Sequence, residues 1–196
     1  MSAPIPGLVL ASGASRRMGR PKALLPLGDS GRPFVRVICD TLTASGVAPL
    51  VVVTRAELLD ELAGVLPGVA LVVNPDPDRG QLSSLLAGLD ALGTRDAALV
   101  TLVDLPLFQQ STVVSLLTAW HQTHAPLVRP LHQGRHGHPV IFGALLLDAL
   151  RSADVDLGAK PVVYRFLADA VSVQVDDRGT VEDIDTPEAY DRLELH

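Results

Sequence analysis

The stretch GLVLASGASRRMGRPK, residues 7–22, decides how this chain is read. Residues 7–11 form a compact apolar run of the length expected for a buried strand. The run breaks into a loop holding Ser12, Gly13, Ser15 and Gly19 together with Arg16, Arg17, Arg20 and Lys22. These four cations come from only 16 Lys and Arg residues in a chain of net charge −6. Small residues let a backbone approach a ligand and turn its N–H groups inward, which makes a concave anion site. Cations add charge-assisted bonds to phosphate oxygens. Open α/β sheets bind ligands at the carboxyl ends of their strands, where this loop lies. The first expectation is therefore a phosphate-bearing ligand.

Runs of the same kind recur downstream. Residues 48–54, 69–73, 97–103 and 170–175 read as strands, and 33–45, 56–64, 81–91 and 109–123 read as helices. Gly46 closes the first helix as a C-cap would. TPEAYDRLEL ends the chain as a helix with Thr186 as N-cap and Pro187 in its first turn. The strands are near-continuously apolar, as strands buried on both faces must be. This alternation implies an α/β fold, a Rossmann-like three-layer α/β/α sandwich with a mostly parallel central sheet. After about residue 125 the rhythm changes: PLVRPL and HPVIF flank a Gly/His/Arg loop and read as a hairpin-like excursion. With no repeat, low-complexity tract or linker, residues 1–196 are read as one domain.

Composition narrows the function. Hydrophobic residues make up 47% and charged residues 19%, which excludes a disordered chain. The pI of about 5.4 and the lack of a basic run exclude a general binder of nucleic acid polymers. The single Cys39 excludes an internal disulfide and a multi-cysteine metal site, and its helical context suggests a core thiol. No apolar run approaches the roughly 20 residues that span a bilayer. The N-terminal stretch lacks the basic region of a signal peptide. A cytoplasmic protein with no membrane partner is expected.

The first loop is not G-x-G-x-x-G, lacks the G-K-[ST] of a Walker loop, and has Arg17 where G-x-S-x-G needs glycine. A second loop, NPDPDRGQLSSLLAGL (74–89), carries Gly80 for close approach and Gln81, Ser83 and Ser84 opening a helix, where they could read base edges. Asp104 ends the strand 97–103 just before Leu105-Pro106. A carboxylate so placed suits Mg²⁺, which takes one or two carboxylates plus phosphate and water oxygens. In VEDIDTPEAY, Asp183 and Asp185 alternate along a strand-like stretch and should face one way. HQGRHGHPVIF (132–142) gathers His132, His136 and His138.

These residues carry a resemblance. LASGASRRMGRPK is similar to the L-A-x-G-x-S-x-R-M-G-x-x-K signature of the MobA-like nucleotidyltransferases, and R-M-G-R-P-K-A-L-L-P-L to their molybdenum cofactor cytidylyltransferase branch. The resemblance implies the nucleotide-diphospho-sugar transferase type of fold. It implies a nucleotide site of Leu10, Ala11, Ser12, Gly13, Ser15, Arg17, Lys22, Gly80, Gln81, Ser83 and Ser84, with Arg17, Lys22 and Asp104 catalytic. The segment after residue 78 resembles the branch's R-G-Q-x-S-S-L element, favouring CTP over GTP, while Ser12 replaces the branch's usual alanine. D-L-P at 104–106 resembles a metal-binding D-x-P element. D-I-D-T-P-E resembles the family's ending, making Asp185 the better second ligand for Mg²⁺, with Mn²⁺ as substitute. G-R-H-G-H-P-V-I-F resembles an element facing the acceptor, so Arg135 and His138 are expected at the acceptor's phosphate. Lys160 stands where the family's D-x-G-x-R region has arginine, and a point charge cannot form the bidentate fork. The implied reaction joins CTP to a molybdopterin-type cofactor and releases pyrophosphate, with a molybdenum hydroxylase as candidate client. The alternatives are a GTP-using or sugar- or alcohol-phosphate transferase, a nicotinamide-dependent reductase of the same family, and a non-catalytic cofactor-insertion chaperone.

Overall fold

The computed structural model describes residues 3–93 and 95–193. Its strands are β1 (Gly7–Leu10), β2 (Pro26–Leu27), β3 (Arg32–Pro33), β4 (Leu50–Thr54), β5 (Ala70–Val73), β6 (Ala97–Leu102), β7 (Leu127–His132), β8 (Arg135–His136), β9 (Val140–Gly143) and β10 (Val171–Gln174). Its helices are α1 (Phe34–Ala44), α2 (Leu59–Val65), α3 (Gln81–Leu92), α4 (Gln110–Thr123), α5 (Ala144–Arg151), α6 (Lys160–Tyr164) and α7 (Pro187–Asp191). Eight strands form one sheet in the order β10-β7-β9-β6-β1-β4-β5, with β8 beside β7, while β2 and β3 pair separately. Neighbours β1–β4, β1–β6, β4–β5 and β7–β10 are parallel. The excursion expected after residue 125 is β7 to β9, and β9 slots antiparallel between β6 and β7.

Strand side chains alternate between two cores, as the period of two demands. Val9, Val52 and Leu99 face α1, α2 and α4, packing with Leu42, Leu62 and Leu116. Leu8, Leu10, Val51, Val53 and Val100 face α3 and α5, packing with Leu85, Leu89, Leu146 and Leu150. This is the three-layer sandwich expected, and each fully buried leucine contributes roughly 1.5–3 kcal/mol. Cys39 lies inside the first core, and burial pushes its thiol up to about 12. Helix α1 ends as its sequence suggests. Gly46 adopts φ +86° beyond the last turn, and the Gly46 and Val47 N–H groups return to Thr43 and Leu42 carbonyls.

Three local expectations need correction. The helix read at 56–64 is a 3-10 turn, Ala56–Leu58, followed by α2, because the Arg55 carbonyl captures the Leu58 N–H first. The closing helix spans only Pro187–Asp191 among the described residues, although Thr186 caps it by accepting from the Ala189 N–H at 3.3 Å. The stretch around Asp183 and Asp185 is not a strand. The Ile184 N–H bonds the Asp104 carbonyl at 2.8 Å and the Ile184 side chain is buried, so the segment is pinned to a loop rather than to a sheet edge.

The chain runs outward from β1 through β4 to β5, then returns across β1 to β6. The loops leaving β1 and β6 therefore diverge, and the crevice between them is where such sheets bind ligands. A third apolar cluster, Met18, Leu25, Phe34, Ile184 and Tyr190, fastens the first loop to the C-terminal segment. The Tyr190 hydroxyl donates to the Pro26 carbonyl at 2.7 Å, and Arg20 stacks over the Tyr190 ring at 5.2 Å. None of the described helices is long and apolar enough to cross a membrane.

Candidate active site

The β1 loop turns on Ser15, whose φ is +49° and whose carbonyl accepts the Met18 and Gly19 N–H groups at 3.0 and 3.1 Å. Its hydroxyl accepts the Lys22 N–H at 3.2 Å, closing the loop over the β1 end. A Cβ added to Gly13 would meet no protein atom within 4 Å, so the protein's own packing places no demand for glycine there. Across the crevice, Asn74 at the end of β5 donates from Nδ2 to Ser83 Oγ at 2.9 Å and Ser84 Oγ at 3.0 Å. Ser84 Oγ in turn hydrogen-bonds Ser12 Oγ. All of Ser12, Asn74 and Ser84 are buried, and this chain of bonds satisfies the two hydroxyls and engages the Asn74 amide.

Together these loops wall a cleft of about 210 Å³ lined by Leu10, Ser12, Gly13, Ser15, Lys22, Pro77, Gly80, Gln81, Ser84, Leu102, Val103 and Asp104. Most residues expected at a nucleotide line it. Two stand back. Ala11 is buried in the first core, and the Ser83 hydroxyl turns toward the Gly80 and Asp76 carbonyls at 2.8 and 3.0 Å. Asn74 escaped the sequence reading. An Asn-Pro after an apolar run marks a loop start, and nothing local reveals that α3 folds back to meet it.

Beside this cleft lies a second of about 240 Å³, lined by Leu102, Asp104, Leu105, Arg135, His136, Gly137, His138, Thr180, Val181 and Asp183. Leu102 and Asp104 belong to both. Arg135 and His138, expected at an acceptor, are here. Backbone contact sets its walls: a Cβ on Gly137 would come within 1.8 Å of the Thr180 carbonyl, and one on Gly179 within 2.3 Å of Leu107. Buried Asp177 anchors the turn by accepting from the Gln109 and Gly179 N–H groups and the Thr112 hydroxyl at 2.8, 3.1 and 2.6 Å. Among the described residues no three His, Cys, Asp or Glu converge in a metal-binding group. Lys160 lies on α6 with its ammonium over the Tyr164 ring, outside both clefts.

At the seam, the Lys22 ammonium, only 11% exposed, is shared between Asp185 and Asp104, the latter at 3.4 Å. Arg17, largely exposed, pairs with the other oxygen of Asp185. Burial pushes the Asp104 carboxyl above its ordinary range against the pull of Lys22, and the charge of Asp185 adds to the rise. Burial acts on Asp185 in the same sense, but the bonds and charges of Lys22 and Arg17 outweigh it and hold that carboxyl low. Asp104 Oδ1 is buried with no hydrogen-bond partner among the described residues. A buried carboxylate oxygen so left is costly unless something else binds it, and Asp104 at the cleft wall, with Asp185 joined to it through Lys22, offers the carboxylate donors a hard divalent cation takes. The residues fit such an ion. His138 bonds through Nδ1 to the Val100 carbonyl at 3.4 Å, and burial holds its pKa down.

Residues 7–172 match the family described as the MobA-like NTP transferase domain. The chain is 35% identical over 205 residues to nicotine blue oxidoreductase of Paenarthrobacter nicotinovorans, covering 96% of each chain. It is 28% identical over 184 residues to molybdenum cofactor cytidylyltransferase of Escherichia coli strain K12, covering 93% of this chain and 92% of that one. It is also 28% identical over 195 residues to a probable molybdenum cofactor guanylyltransferase of Natronomonas pharaonis, covering 95% of each. The fold matches the crystal structure of Rv0371c from Mycobacterium tuberculosis H37Rv with a TM-score of 0.84 and 26% identity over 100% of both chains.

Proposed function

Since the chain belongs to the MobA-like NTP transferase family, we propose that it transfers CMP from CTP to the terminal phosphate of a molybdopterin-type cofactor and releases pyrophosphate. The observation that carries this reading is the seam. Lys22 is held between Asp104 and Asp185 where a triphosphate-sized cleft meets a second pocket. The preference for CTP rests on Gly80, Gln81, Ser83 and Ser84, whose pattern resembles the cytidylyltransferase element.

An oxygen of the acceptor's phosphate bonds to the α-phosphorus of CTP as the bond from that phosphorus to the bridging oxygen breaks, and pyrophosphate leaves with the electron pair. A phosphate monoester is already ionised near neutral pH, so no strong base is needed, and catalysis rests on positioning and charge neutralisation. The Ser12–Gly13–Ser15 loop orients the triphosphate. Lys22 and Arg17 release Asp185 in part to meet phosphate oxygens, and Lys22 offsets charge developing toward the leaving group. Asp104 and Asp185 would hold Mg²⁺ or Mn²⁺, which would supply positive charge to offset that of the phosphates.

A second reading, a nicotinamide-dependent reductase, is supported by the identity to nicotine blue oxidoreductase. One incubation separates the readings. With CTP, GTP, Mg²⁺, the pterin cofactor, a reduced nicotinamide and a reducible dye present, the expected products are the cytidine dinucleotide and pyrophosphate. A guanine dinucleotide alone would shift the base assignment. Oxidation of reduced nicotinamide without pyrophosphate would replace the transferase reading.

A further inference from the structure

We infer that Arg129 anchors an anion site of its own on the α5-facing side of β7, and that its ligand is a tetrahedral oxyanion, either free phosphate or a phosphate carried on a small molecule. The site does not depend on the transferase reading. Among the described residues, the partly buried cations Lys22, Arg36, Arg55 and Arg151 each pair with a carboxylate. Arg129 is partly buried as well, yet its Nε is shut off from solvent with no hydrogen-bond partner. No carboxylate or carbonyl of the described residues meets its other nitrogens. A charge so placed is costly unless an opposite charge joins it.

Strand register fixes what stands beside this guanidinium. Val128 packs into the first core and Leu127 into the second, so Arg129 lies on the second-core side of the sheet. There it shares a row with Ser172, its partner on β10. His136 sits in the next row, opposite Leu131, and its Nε2 meets Ser172 Oγ at 3.0 Å. The imidazole therefore crosses β7 toward Arg129. Burial, together with the charge of Arg129, holds His136 below its ordinary pKa, so the ring supplies no compensating charge. The arginine fork matches two oxygens of one anion. When His136 donates from Nε2, the Ser172 hydroxyl keeps its own hydrogen for a third oxygen, which a tetrahedral oxyanion offers and a carboxylate lacks. His136 also lines the second cleft and Arg129 lines neither, so the site adjoins that cleft without being part of it.

The test is a titration with inorganic phosphate, followed by the ¹H–¹⁵N resonance of the Arg129 Nε–H and by calorimetry. The nucleotide cleft would also take phosphate, so Lys22→Met is titrated alongside. In wild type and in Lys22→Met, phosphate is expected to move the Arg129 resonance along the same curve. Arg129→Gln should lose that binding event by at least about tenfold, the worth of a charge-assisted bond. Arg129→Lys should keep part of it, because the charge stays and the fork goes. Acetate should bind at Arg129 at least about tenfold more weakly than phosphate, since it lacks the third oxygen. Glycerol 3-phosphate separates the sources. Binding as tight as phosphate supports an oxyanion carried on a small molecule, and its exclusion supports the free ion. An Arg129 resonance that phosphate leaves unmoved overturns the inference, and this wild-type readout stands even if Arg129→Gln fails to fold. An unchanged isotherm in Arg129→Gln, loss of the Arg129 response in Lys22→Met, or acetate binding as tight as phosphate overturns it too, and none of these bears on the transferase reading.

Discussion

The two clefts that meet at Asp104 are prepared in different ways. On the nucleotide side the charges are already paired, with Lys22 and Arg17 folded onto Asp185, and the buried hydroxyls of Ser12 and Ser84 are tied to each other and to Asn74. On the acceptor side the walls are fixed by backbone contact at Gly137 and Gly179, yet Asp183 has no partner among the described residues. The difference reflects the ligands proposed. A triphosphate brings so much negative charge that its cations must be held in place by counter-ions until it arrives.

The largest effect is expected where the clefts join. Asp104→Asn should lower kcat/KM by roughly 10²–10³-fold while thermal stability holds, because the group removed has an unsatisfied oxygen. Lys22→Met should cost about 10²-fold in kcat/KM, read mainly as a rise in the KM for CTP. An unchanged KM for CTP in Lys22→Met would remove Lys22 from the nucleotide side.

A pair of glycine substitutions sharpens the contrast. Gly137→Ala must displace the Thr180 carbonyl and should cost about 1–3 kcal/mol, with roughly 2–4 °C of Tm lost per kcal/mol. Gly13→Ala meets no protein atom and should leave Tm unchanged while raising the KM for CTP. Should calorimetry find Gly13→Ala as destabilising as Gly137→Ala, the β1 loop is held by its own packing instead of being shaped for a ligand.

The smallest effects follow pH. His138 stays neutral in the fold to a lower pH than in the unfolded chain, where it titrates near 6.5. Below about pH 6.5 the unfolded state binds the extra proton, so stability falls as pH drops toward the folded pKa. The urea midpoint of His138→Gln should fall less steeply than that of wild type between pH 7 and 5. Cys39 gives the opposite sign at the alkaline end. Its thiol stays protonated in the fold up to about 12. Stability is therefore lost as pH rises from about 9 through 12, and iodoacetamide should label Cys39 only in denaturant.

How far the sequence carried the reading depends on the range over which each feature is encoded. The C-cap at Gly46, the N-cap at Thr186 and the apolar strand in residues 7–11 are local, and each is visible as a residue type at a fixed offset. The β1 loop was legible for the same reason, because small residues and cations adjoin there. The Asn74–Ser84–Ser12 chain was not, since Ser12 and Ser84 are 72 positions apart. The division of Asp183 from Asp185 was also hidden. Alternation alone puts them on one face, and it takes the burial of Ile184 to part them.

What the sequence determined by itself was the rhythm of apolar strands and amphipathic helices, and hence a layered α/β fold with an anion-binding loop at the first strand's end. Hydrophobic periodicity and glycine placement act within a few residues, so they can be read in order. Only the tertiary structure decided that β9 enters between β6 and β7, and that Asp185 arrives at Lys22 from 163 positions away. Strand order and ion pairing across the crevice depend on how two cores close at once, and no short window of residues contains that information.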